Sequence, residues 1–153
     1  MAVRYRHTQV GGFILAVTVP AMVLAAVLAL QQSVAAGLLV TAVVAVVAAS
    51  LFSLTTIVSD EDVQVRFGIG LISRRIPLRT VVNAVAVRNP WYYGWGIRLT
   101  HRGWLWNISG FGGVELTFVH GGHFRIGTDE PERLAAEIQR AMKSAKSRLE
   151  SAS

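Results

Sequence analysis

The chain has 153 residues, 52% of them hydrophobic and only 16% charged, with a formal net charge of +6. An average soluble domain carries roughly 25% charged residues, yet the 52 residues from Thr8 to Ser59 contain no Asp, Glu, Lys or Arg. That distribution excludes a wholly soluble, wholly disordered or collagen-like protein, and the absence of cysteine excludes disulfides and thiol chemistry.

Residues 1–10 read as a short tail carrying Arg4 and Arg6 ahead of the first apolar run. That run, Gly11 to Leu30, is 20 residues long. A helix of that length spans about 30 Å, one hydrocarbon core. Its ten Leu, Ile, Phe and Val residues favour insertion by roughly 3–6 kcal/mol before Gly and Pro are subtracted. Pro20 predicts a mid-span kink, which bilayer helices tolerate. The run exceeds the roughly 7–15 apolar residues of a signal peptide, and a second run follows at once. Gln31, Gln32 and Ser33 form the turn, and the second run continues from Val34 to about Val58. Two spans, 11–30 and 34–57, joined so closely predict an antiparallel transmembrane hairpin over 11–58. Small residues recur at every fourth position, at Ala21, Ala25 and Ala29 and again at Gly37, Thr41, Ala45, Ala49 and Ser53. Such faces serve packing within the hairpin or a homodimer seam.

Beyond residue 59 there are 13 Lys plus Arg against nine Asp plus Glu. With Arg4 and Arg6 on the other flank and no charge in the turn, the positive-inside rule places both termini in the cytoplasm. Arginine outnumbers lysine 13 to 2, a usage typical of GC-rich bacterial genomes. The expected location is a bacterial cell membrane crossed twice.

From Asp60 the pattern becomes short period-two runs between turn residues, the signature of an all-β unit occupying 59–153. Seven strands are expected: 62–67, 71–76, 80–88, 95–100, 104–109, 114–119 and 123–128. Val63, Val65 and Phe67 alternate with Gln64 and Arg66, and Val114, Leu116 and Phe118 with Glu115 and Thr117, so one face of each strand is buried. The stretch from Thr55 to Asp60 leaves almost no linker, which sets the acids Asp60, Glu61 and Asp62 in a solvated turn beside the bilayer. A helix over 130–149 follows. Asp129 is its expected N-cap with Glu132 three positions on, Pro131 suits the first turn, and Leu134, Ile138, Ala141, Met142, Ala145 and Leu149 form its apolar stripe.

The segments IPLRTVVNAVAVRN, YGWGIRL, NISGFGGVEL and FRIGTDEPERLAAEI resemble the bacterial pleckstrin-homology-like (PH-like) family of small two-span membrane proteins. The resemblance covers about residues 60–142 and is most specific at 94–98, 109–116 and 125–134. It implies a seven-stranded, bent β-sandwich or partly open barrel closed by one C-terminal helix, and it implies no activity.

Chemical motifs are sparse. HGGH at 120–123 has metal-like spacing, but its two glycines predict a three-residue hairpin loop, His120 to Gly122, that need not bring the imidazoles together. No hydrolase, zincin or P-loop pattern is present, Asn107-Ile108-Ser109 matches a sequon irrelevant to a cytoplasmic domain, and neither a catalytic residue, a metal nor a cofactor is expected. Two surfaces carry the functional expectation. One is aromatic: all four Trp lie between Trp91 and Trp106. Trp95, Trp104 and Trp106 suit the core, whereas Trp91, Tyr92 and Tyr93 follow Asn89-Pro90 and suit a membrane or protein interface. The other is basic, Arg74, Arg75 and Arg79. The expectation is a non-enzymatic, membrane-anchored interaction or scaffold module with a protein partner or a second copy. The alternative is a sensor of anionic lipid headgroups, which explain a basic membrane-attached domain better than nucleic acid does.

Overall fold

The computed structural model describes residues 3–151, without the side chains of Phe13, Ile14 and Leu149. Two long apolar helices are present, followed by β-sheets and a C-terminal helix, but a strand precedes the helices. Strand β1 (Val3–Val10) leads into α1 (Gly12–Gln32) and α2 (Val34–Leu51), and β2 (Ser53–Ser59) follows. The chain then makes β3 (Asp62–Phe67), β4 (Ile72–Pro77), β5 (Val81–Arg88), β6 (Gly96–Thr100), β7 (Gly103–Asn107), β8 (Gly112–Phe118), β9 (His123–Gly127) and α3 (Pro131–Ser151).

Of the tail expected at residues 1–10, Val3–Val10 is therefore a strand while residues 1 and 2 lie outside the described residues, and the second apolar run stops being helical at Leu51. Both corrections have one cause. Residues 3–10 alternate, Tyr5 and Gln9 inward with Arg6 and Thr8 outward, and they pair antiparallel with β2 from Tyr5↔Val58 to Val10↔Ser53. In β2 the β-branched Thr55, Thr56, Ile57 and Val58 favour an extended chain. Six of its seven residues are buried, so hydropathy continues smoothly from helix into strand. The expected seven strands are all found within two residues, making nine among the described residues.

They form two sheets, β1-β2-β3-β4 and β5-β8-β9-β7-β6. The first is an antiparallel meander. The second contains a parallel pair, β7 with β9. Their inner faces share one core, including Leu54, Val58, Val65 and Phe67 from the first and Val114, Leu116, Phe124 and Ile126 from the second. Helix α3 closes it with Leu134, Ile138 and Ala141, all fully buried; Leu149 of the expected stripe lies outside the described side chains. Asp129 is not the cap. The first helical carbonyl to accept is that of Glu130, from the amide of Leu134, and Thr128 Oγ1 accepts from the amide of Glu130 at 3.1 Å.

Helices α1 and α2 lie side by side and are long and apolar enough to cross a membrane. Ser33 caps α2 by accepting from the amide of Ala36 at 3.1 Å. Gly37 faces α1 so closely that a Cβ there would stand 3.3 Å from Leu30 Cγ, so this small residue serves packing within the hairpin. Elsewhere the pair is apolar all round; Leu24, Leu28, Leu38 and Leu39 are exposed.

Candidate functional site

The domain has a near end, where the helices leave, and a far end. At the near end Gly11 abuts Ile108, and Gln9 Nε2 donates to the Ser109 carbonyl at 3.0 Å and hydroxyl at 2.8 Å. The turn between β3 and β4 touches α2: the amide of Ile69 donates to Ala49 O at 3.3 Å. Gly68, at φ +46°, approaches so closely that a Cβ would fall 2.1 Å from the same oxygen, so only glycine fits. Because β2 runs away from α2, the Asp60–Asp62 turn lies at the far end. The near absence of a linker predicts a turn directly after the second helix; the turn instead stands a whole strand away from it.

The six expected surface residues do not converge. Trp91, Tyr92 and Tyr93 form a short 3-10 turn between β5 and β6. It sits at the near end, because the amide of Asn89 donates to Phe111 O at 2.6 Å and Gly96 pairs with Asn107, next to Ile108. Trp91 is 79% exposed and Tyr92 65%. Tyr93 is half-buried instead. Its hydroxyl lies 3.0 Å from His101 Nδ1 and its ring 5.8 Å from the Arg125 guanidinium. Of the three tryptophans assigned to the core, only Trp106 is buried; Trp104 is 45% exposed and Trp95 is half-buried. By register Trp104 and Trp106 share the face of Phe124 and Ile126, with Leu105 buried on the opposite face beside Arg125, so Trp104 is exposed by its place near the start of β7 and not by facing away from the core.

Strand alternation separates the arginines. On β4, Ile72 and Ile76 face the core, so Arg74 points inward and its guanidinium stacks 4.6 Å from the Phe124 ring. Arg75 points outward and pairs with Asp62 at 2.9 Å. Arg79 stands at the far end in the 3-10 turn Leu78–Thr80. It divides two clefts. One, about 550 Å³, is lined by Asp60, Asp62, Arg75 and Arg148; the other, about 580 Å³, lies between β5 and α3 beneath Arg79, Lys143 and Lys146.

Ion pairs stitch the far end and the outer face of the second sheet. Asp60 takes a hydrogen bond from Arg4 Nε and lies 3.3 Å from Arg148, joining β1, the β2–β3 turn and α3. The Arg4 hydrogen bond and the nearby Arg148 charge hold its carboxyl below the usual carboxylate range. Tyr5 donates to Glu130 at 3.1 Å, and burial with that contact pushes its phenol well above its ordinary value. On the second sheet Arg125, almost fully buried, donates to Glu115 at 2.6 Å and to Asn89 at 3.2 Å. The turn that carries HGGH spans Val119–Gly122, one residue longer than expected because β8 ends at Phe118, and His123 opens β9. His123 Nδ1 faces Glu115 at 3.6 Å while His120 is exposed. No group of three or more His, Cys, Asp or Glu able to hold a metal is found among the described residues.

Two features escaped the sequence reading. One is a collar of exposed apolar side chains at the near end, Ile69 (63%), Leu71 (69%) and Phe111 (40%) together with Trp91 and Tyr92. The glycine-rich turns at 68–70 and 110–113 signalled loops, but only the position of the helices puts those loops at one end. The other is Arg6 and Arg66, which share the outer face of the first sheet. Comparison with protein-family models, curated proteins and solved structures yields no match.

Proposed function

We propose that the chain is a membrane-anchored interaction module of PH-like type. In this reading the α1–α2 hairpin crosses the bilayer, the β-domain rests on the cytoplasmic leaflet, and its far end is presented to a protein partner. The apolar collar carries the reading: Ile69, Leu71, Phe111, Trp91 and Tyr92 are exposed at the one end from which two apolar helices depart. Aromatic and aliphatic side chains gathered there suit the headgroup boundary, which is apolar on one side and wet on the other. The helices support it too, since a pair apolar on every face needs cover that a bilayer supplies. A cleaved leader fits less well, because cleavage after α1 would remove β1, which pairs with β2 over nearly its whole length.

The PH-like assignment draws support from a four-stranded meander packed on a second sheet and closed by a C-terminal helix. Partner binding draws support from the cleft between β5 and α3, whose apolar Val81, Val82, Val119 and Met142 are overhung by Arg79, Lys143 and Lys146. That combination suits an acidic, partly apolar segment.

Cysteine accessibility in intact cells tests the arrangement. A Gln32→Cys variant should label with an impermeant maleimide from outside, and Ser73→Cys only after permeabilisation. The reverse pattern, or release of the chain from membranes at alkaline pH, would reject it.

A further inference from the structure

We propose that the outer face of the first sheet holds a site for the phosphate of an anionic lipid headgroup, built on Arg6 and Arg66; this rests on the reading that the hairpin spans a bilayer. The register fixes the face. Tyr5, Val58, Val63 and Ile76 lie side by side in the core, so the next residues along, Arg6, Ile57, Gln64 and Arg75, point to the opposite side. One row nearer the helices stand Thr8, Thr55, Arg66 and Ser73. Arg6 and Arg66 therefore flank the central strand β2 on one face, with Thr8 and Thr55 hydroxyls 2.9 Å apart between them.

Among the described residues, charge balance leaves these two arginines open, as it does Arg74, Arg79, Arg88 and Arg98 elsewhere on the domain. Arg4 and Arg148 share Asp60, Arg75 has Asp62, Arg125 has Glu115, Arg133 has Glu130 and Arg140 has Glu137. Arg6 and Arg66 are exposed, and neither meets a carboxylate among the described residues. Among the described residues of β1 to β4 the acid on that face is Asp62, and it is occupied by Arg75.

Depth supplies the ligand. Arg66 lies two residues before Gly68, which touches the last turn of α2, so its row stands about 7 Å along the strand from the helix end. The headgroup layer is about 5–7 Å thick on each side. A guanidinium at that level meets lipid phosphate, to which it donates in bidentate fashion. Arg6, one row further out, has a side chain long enough to reach back along the sheet to the same phosphate, as long basic side chains do near an interface. The Thr8 and Ser73 hydroxyls supply neutral donors beside them. The near end of this face thus stands at the level of the headgroups while the far end stays clear of the leaflet.

Native mass spectrometry of the full chain, ejected from nanodiscs containing equal phosphatidylglycerol and phosphatidylcholine, reads the preference directly. The wild type should retain phosphatidylglycerol. Arg6→Gln with Arg66→Gln should lower that preference roughly 20- to 30-fold, about fivefold per arginine, while Arg79→Gln with Lys143→Gln at the far end should leave it. Equal loss in both pairs would mean a diffuse field and would overturn the site, as would an unchanged preference in the first pair. Inorganic phosphate in phosphatidylcholine discs binding as tightly as the lipid would assign the site to a free anion and overturn the headgroup. Arg66→Lys keeps the charge but not the fork, and should lose part of the preference with an unaltered melting temperature. Alkaline extraction separates the two readings. A chain released from membranes overturns both; a chain retained with no lipid difference overturns this one alone.

Discussion

Val10 and Ser53 face each other as the last paired residues of β1 and β2, with the whole helical hairpin strung between them. The amide of Gly11 then donates to Phe52 O at 2.8 Å, extending the ladder by one more bond. The hairpin thus takes the place of an ordinary β-turn. Two strands bonded to their ends cannot swivel independently of the helices they lead into, so the domain's orientation relative to α1 and α2 is set by the backbone rather than by a linker.

A turn-like insertion can be removed. Replacing Gly12–Leu51 with Asn-Gly, which suits a two-residue hairpin, should give a soluble chain with a cooperative melting transition and the β-rich circular dichroism of the parent domain. A fragment beginning at Asp60 lacks β1 and β2, hence Tyr5, Leu54 and Val58 of the core, and should not fold. A folded fragment from Asp60 would show that β1 and β2 are dispensable.

Helix α3 docks through fully buried side chains, so Leu134→Ala in the excised domain should cost about 2–5 kcal/mol in urea melts. Thr128→Ala should cost about 1 kcal/mol, because its hydroxyl satisfies the Glu130 amide. Asp129→Ala should cost less, since its exposed carboxylate serves His7, at 2.5 Å, rather than the helix. A larger loss for Asp129→Ala than for Thr128→Ala would restore Asp129 as the cap.

Much of this fold was legible because alternation survives wherever one strand face is wet. That holds for β3 and β8 and even for β1, whose Tyr5 and Gln9 are separated by Arg6 and Thr8, while in β9 the period shows as polar against apolar although Arg125 is itself buried; the two arginines ahead of an apolar run read more simply as a topology signal. Strand β2 was hidden because burial on both faces erases the period. The pairing of β7 with β9 is long-range and parallel and leaves no local mark. The arginines were partly readable: Ile72 and Ile76 inward on β4 already imply Arg74 inward and Arg75 outward. The partners that occupy Arg75 and leave Arg66 open come from other strands, and only the register reveals them.

The far-end triad makes stability pH-dependent. Asp60 is held below the usual carboxylate range first by the Arg4 hydrogen bond. A carboxyl whose folded value is depressed contributes stability above its unfolded value, about 3.9, and loses it as pH falls through the folded one. The excised domain should therefore exceed its Asp60→Asn variant in stability at pH 7, with the gap closing below about pH 4. A gap that stays constant on acidification would show that the carboxylate's charge is not what joins Arg4 to Arg148.

Trp91 and Tyr93 are two residues apart and should answer differently to truncation. Tyr93 is half-buried, bonds His101 and covers Arg125, so Tyr93→Ala should destabilise the excised domain by about 1–3 kcal/mol. Trp91 is 79% exposed, and Trp91→Ala should shift stability by no more than about 0.5 kcal/mol. Its effect should appear only with lipid. In the full chain reconstituted with phosphatidylcholine brominated near the headgroup end of its acyl chains, part of the tryptophan emission should be quenched, and Trp91→Ala should remove that part while leaving the emission of buried Trp106 unquenched. Quenching that persists in the Trp91→Ala variant would mean that the collar does not meet the bilayer at this corner, and Trp91 would then belong to a protein-facing surface.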